Sequence, residues 1–100
     1  MITSKQRAWL RKEAHTLEPI FQIGKEGVTE TAINAFEEAL EKREIIKIKI
    51  LETALLDTKQ TCNEVAADLG AEPIQAIGNK FIIYRRAKHE KNRKIELPKK

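Results

Sequence analysis

Between Gln22 and Ala32 the chain reads QIGKEGVTETA, and two of only four glycines, Gly24 and Gly27, bracket Lys25 and Glu26 there. Glycine adopts positive φ and lets a backbone come close to another surface. Just ahead of a helix, such a turn leaves N–H groups and the positive end of the helix dipole open to an anion. Thr29 is a good N-cap for that helix, and Glu30 suits its positive end. The chemistry on offer is phosphate binding, with Gly24, Lys25, Gly27 and Thr29 as candidate contacts. Two nucleotide motifs are excluded. No GxxxxGK[ST] string occurs, and a GxGxxG fingerprint fails because Gln22 stands where its first glycine belongs. What remains is GxxG, the pattern with which KH domains clamp the backbone of single-stranded RNA. There it joins two helices; here it would join a strand to a helix, where glycine also serves turn geometry alone.

Further cations lie elsewhere in the chain. Arg7, Arg11 and His15 recur at helical spacing and form a stripe beside an apolar one, either a phosphate rail or a polar flank. The net charge of +4 is unevenly spread: residues 1–15 carry four basic and one acidic side chain, residues 80–100 nine and two, and residues 16–79 six and twelve. Cationic ends around an acidic centre resemble the footprint of a nucleic-acid binder. In the basic end, Arg85, Arg86 and Lys88 are the candidate contacts; the last few residues read equally as a solvated lysine tail.

Catalysis and metal binding find little support. Ser4 is the only serine, and Cys62 falls on an apolar helical stripe, the usual place of a small buried hydrophobe. His15 and His89 lack cysteine partners or HExxH spacing, so no metal site, cofactor or small-molecule substrate is expected. A single cysteine forms no internal disulfide and fits a reducing compartment. The polar start MITSKQRAWLRK has no apolar leader, and no window is apolar enough to span a membrane. A cytoplasmic, monomeric protein of one domain is the expectation.

The elements that must hold these residues follow from periodicity. Thr3 with Gln6 predicts a capping box, and Leu10, Ala14 and Leu17 the apolar stripe of a helix ending near His15 or Thr16. After Pro19, PIFQI reads as a strand. A second helix follows Thr29, with Ile33, Phe36 and Leu40 inward and Glu37, Glu38 and Glu41 on a solvated face. In IIKIKIL the isoleucines and lysines alternate, as in a strand with one wet, basic side. Asp57 and Gln60 predict another capping box, before the stripe Cys62, Val65, Ala66 and Leu69 and the terminating Gly70. PIQAI and KFIIYR read as strands joined by a tight hairpin at Gly78-Asn79. The order α-β-α-β-α-β-β predicts an α/β fold with a mixed four-stranded sheet and packed helices. Residues 1–86 form the domain, and 87–100 a basic tail partly docked around Ile95–Pro98. Phe81 and Tyr84 read as core or as base-stacking aromatics, and Trp9 falls off both helical stripes.

The stretch TSKQRAWLRKEAHTLEPIFQIGKEGVTE, with IIKIKI, Gln75-Ala76-Ile77-Gly78, Ile83-Tyr84-Arg85 and Ile95-Glu96-Leu97-Pro98, resembles the CRM domain (chloroplast RNA splicing and ribosome maturation). The likeness is strongest to its single-domain, YhbY-like bacterial members and spans nearly the whole chain. It implies a fold like the C-terminal domain of translation initiation factor three. It also implies RNA binding through the GxxG loop and association with precursors of the large ribosomal subunit. Glu26 inside the loop departs from what a phosphate would favour, so its side chain is not expected to touch RNA. The expected function is an RNA-binding ribosome assembly factor. The alternative is a protein-interaction module using the acidic face of the second helix and the basic ends.

Overall fold

Thr3 opens the first helix as the capping box predicts. Its Oγ1 accepts the Gln6 N–H at 3.1 Å, and the Gln6 side-chain oxygen accepts the Thr3 N–H at 3.0 Å. The computed structural model describes residues 2–99. The elements run α1 (Ser4–Ala14), β1 (Phe21–Ile23), α2 (Glu30–Arg43), β2 (Ile45–Ile50), α3 (Thr58–Leu69), β3 (Glu72–Ile77) and β4 (Lys80–Tyr84), the expected order. Short 3₁₀ turns occupy Glu52–Ala54 and Glu90–Asn92. Among the described residues no helix is long and apolar enough to cross a membrane.

The sheet order is β1-β2-β4-β3, with β1 parallel to β2 and β4 antiparallel to both its neighbours. Both crossovers, β1-α2-β2 and β2-α3-β3, travel the same way across the sheet. Right-handed connections then put α2 and α3 on one face and leave the other to α1. The core divides accordingly. Ile23, Ile46, Ile48, Ile50, Phe81 and Ile83 meet Phe36, Leu40, Cys62 and Val65 on the first face. Leu10 and Ala14 of α1 cover Ile74, Ile82 and Tyr84 on the second. Trp9 is half-buried against this second cluster, whereas the stripes alone left it unassigned. Pro73 lies in β3, at the sheet edge and beside a register shift, where a missing N–H is tolerated.

One predicted cap is half-formed. Asp57 accepts the Gln60 N–H at 2.8 Å, but the Gln60 side chain donates onward to Glu64 at 3.4 Å. A charged acceptor one turn ahead on an exposed helix face replaces the backward bond.

The tail is held by carboxylates. Glu44 follows α2 with φ 67° and is fully buried, although no glycine stands there. Its side chain accepts the N–H groups of Ala87, Lys94 and Ile95 at 2.8, 2.6 and 2.8 Å. Glu41 accepts the N–H groups of Lys88 and His89 and the Asn92 side-chain amide. Ile95 and Leu97 then pack beside α1, and the Gln6 amide donates to Pro98 O at 2.9 Å. Burial alone would raise the Glu44 pKa, but the three N–H donors and the charge of Arg86 bring it below 4.5. The Asn92 amide and the His89 and Lys88 N–H groups lower Glu41 to about 2.

Carboxylates held low stabilise the fold above their ordinary pKa and lose that contribution as pH falls through the folded value. Stability should therefore decline between about pH 4.5 and pH 2, with the 87–98 segment detaching. Glu44→Gln should lower the unfolding free energy by roughly 2–3 kcal/mol at neutral pH and flatten that acid limb. Urea unfolding from pH 7 to pH 2.5 reads both; an unchanged acid limb would contradict the clamp.

Candidate nucleic-acid interface

The parallel pairing of β1 with β2 ends where Ile23 meets Ile50 and its carbonyl accepts the Leu51 N–H at 2.8 Å. The chain then reverses in one turn: Gly27 N–H donates to Gly24 O at 2.9 Å, with Lys25 and Glu26 exposed at the tip. Gly27 has φ 74°, a conformation that costs an L-residue, and open space where a Cβ would stand. Gly24 has no such φ, and a Cβ there would meet Leu51 Cδ1 at an ordinary 3.6 Å. Only the second glycine is required by backbone geometry. The half-buried Thr29 caps α2, its Oγ1 accepting the Ala32 N–H at 3.1 Å, so its hydroxyl already serves the helix.

The helical stripe divides. Arg11 on α1 and His15 at its C-cap are exposed. Arg7 instead turns to β3, donating from Nε to Pro73 O at 3.3 Å and pairing with Glu72 at 3.5 Å. The basic end divides as well. Arg86 and Lys88 are exposed. The Arg85 side chain is only 10% exposed, paired with Glu37 and donating to Leu69 O at 3.1 Å. Arg85 thus pins the end of β4 between α2 and α3. Register separates the two cationic groups: Lys80 begins β4 opposite Lys49, near the turn, while Tyr84 ends it opposite Ile45. Arg86 and Lys88 leave the sheet at the end away from Gly24–Gly27.

Phe81 and Tyr84 are core residues, which leaves neither ring free to stack on a base. Cys62 is buried, and that burial pushes its thiol up to about 11, so it stays protonated at neutral pH. No group of three metal-capable side chains occurs among the described residues. Sequence patterns missed one surface feature. Leu55 has φ 56° and is 90% exposed, in the 51–57 connection beside the turn. That conformation closes the Glu52–Ala54 turn, with the Leu55 N–H donating to Glu52 O at 3.2 Å. Its only sequence signal is a Leu-Leu pair outside any period, just before the Asp57 cap.

The site is thus a lysine-bearing turn ahead of a capped helix, with further exposed cations at Arg11 and His15. The model of the CRS1/YhbY (CRM) domain matches residues 2–85. The chain belongs to the CRM domain family. It is 40% identical to the "Probable RNA-binding protein YqeI" of Bacillus subtilis, covering 98% of this chain and all of that protein. It is 34% identical to an "RNA-binding protein" of Haemophilus influenzae, over 99% and 97% of the two chains. A solution structure from Staphylococcus aureus superposes with a TM-score of 0.79 at 41% identity, covering 98% of this chain and all of that one. This CRM chain is thus a three-helix, mixed-sheet domain aligned with its relatives over nearly its full length.

The two loop glycines should respond differently to alanine. Gly27→Ala should cost roughly 1–2 kcal/mol of stability, because its φ is disfavoured for L-residues. Gly24→Ala should stay within about 0.5 kcal/mol. Urea midpoints decide; equal costs would show that the turn differs from the one described.

Proposed function

We propose that this CRM protein binds ribosomal RNA within precursors of the large subunit and assists their assembly, as a monomer in the cytoplasm. The exposed Lys25 on the Gly24–Gly27 turn carries the reading, since a lysine on a tight turn ahead of a helix N-terminus suits a phosphate. Arg11 and His15 extend the surface along α1, and Arg86 and Lys88 offer a separate contact on the far side. Thr29 caps the helix behind the turn and Arg85 ties β4 to α2 and α3, so both serve the fold rather than the RNA directly. The names of the relatives support RNA as the ligand class.

The alternative, protein recognition by the acidic side of α2, loses ground to a specific observation. Glu37 pairs with Arg85 and Lys88, and Glu41 holds the 88–92 turn, so two of its three carboxylates are engaged within the chain.

Lys25→Ala combined with Arg11→Ala should weaken binding to purified large-subunit ribosomal RNA and reduce its salt slope by about two. Stability should move by less than about 0.5 kcal/mol, since both side chains are exposed. Filter binding across a salt series gives the result, and unchanged affinity would refute the surface. Glu26→Lys should act oppositely, tightening binding and steepening the slope by about one. Wild-type protein should co-sediment with large-subunit precursors in a cell lysate and leave them after nuclease treatment.

A further inference from the structure

The sheet register aligns four side chains across its open end. Gln22 of β1 lies beside Lys49 of β2, Lys49 beside Lys80 of β4, and Lys80 beside Ile77 of β3. Strand alternation gives the face: Ile48, Ile50 and Phe81 enter the core under α2 and α3, so Lys49 and Lys80 point to the α1 side. Helix α1 covers Ile74, Ile82 and Tyr84 on that side and stops short of the row. Gln22 and Lys80 are exposed, Lys49 is half-buried, and Ile77 is 65% exposed. Lys47 stands two residues back on the same face, opposite Ile82.

Two features make this row more than a wet sheet face. Directly opposed lysines lie about 5 Å apart at Cβ and repel, which costs the fold stability. Among the described residues, the ion pairs use Arg7, Arg85 and Lys88, and no carboxylate lies within 4 Å of Lys47, Lys49 or Lys80. Two opposed cations without a carboxylate partner leave a local positive potential that a bound anion would relieve. The row also adjoins the turn. Gln22 lies two residues before Gly24, and Asn79, next to Lys80, accepts the Ile50 N–H at 2.7 Å.

We infer that an RNA strand leaving the Gly24–Gly27 turn crosses the sheet end along Gln22, Lys49, Lys80 and Ile77. This rests on the RNA reading above and adds its path. Lys49 and Lys80 take successive phosphates, and Ile77, an apolar side chain at the end of the row, packs against an unpaired base. The segment crossing the sheet is therefore single-stranded.

The double variant Lys49→Gln/Lys80→Gln tests the path with purified large-subunit ribosomal RNA. Binding should weaken about tenfold in 0.1 M salt, and the salt slope should fall by roughly 1.5 to 2. The thermal midpoint should hold or rise as the repulsion goes, and Lys49→Arg/Lys80→Arg should restore binding. Ile77→Ser should weaken binding without changing the slope. Independently, RNA should protect Lys49 and Lys80 of the wild-type protein from amine acetylation while exposed Lys42, in the last turn of α2, stays reactive. Unchanged affinity and slope in the glutamine variant, with Lys25→Ala/Arg11→Ala still impaired, would overturn the path and leave the RNA reading standing. No binding by the wild-type protein would overturn both.

Discussion

A right-handed β-α-β crossover returns to its sheet from one side only, and this chain makes two of them in the same direction. Helices α2 and α3 must therefore share a face. The opposite face has the eleven-residue α1, about 16 Å long, with Ile95 and Leu97 of the C-terminal strap beside it, and these cover the end of the sheet around Ile74, Ile82 and Tyr84. The open end is also where β1 finishes and the Gly24–Gly27 turn begins. The surface proposed for RNA follows from a shortage of helix as much as from the presence of lysine.

Charge is sorted by the same packing. The acidic middle of the chain looks like a free surface in the sequence, yet Glu37, Glu41 and Glu44 bind groups of the C-terminal segment. Glu44 accepts three backbone N–H groups in a conformation that glycine would hold more cheaply, so its carboxylate has to repay that strain. These bonds turn residues 87–98 from a cationic tail into a strap that reaches α1 through Ile95 and Leu97. Arg11, His15 and Lys25 remain exposed, and Lys47, Lys49 and Lys80 remain without carboxylate partners among the described residues.

Local chemistry was legible in the residues themselves. The Thr3–Gln6 box, the Thr29 cap, the alternation of IIKIKI and the Gly78-Asn79 hairpin each depend on neighbours a few positions apart, and each forms. What escaped depends on distant partners. The insertion of β4 between β2 and β3 leaves no mark on either strand. Arg7 and Arg85 carry the same charge as Arg11, and only the fold shows that Pro73, Glu72, Glu37 and Leu69 occupy them. Lys49 and Lys80, thirty-one positions apart, become neighbours through register alone. The exposed turn and its lysine were readable from spacing; the lysine row depends on sheet register.

On the proposed surface, RNA meets the turn end of the sheet, the N-terminus of α2 and the α1 side, leaving the outer side of α3 free. Amide NMR of the isotope-labelled protein, titrated with purified large-subunit ribosomal RNA fragments, tests it most directly. Signals of residues 22–29, 47–49, 77–80 and the exposed side of α1 around Arg11 and His15 should shift or broaden first, while those of Glu64 and Asp68 on α3 stay in place. Perturbation confined to the α2–α3 face, with Gly24–Gly27 unmoved, would contradict it.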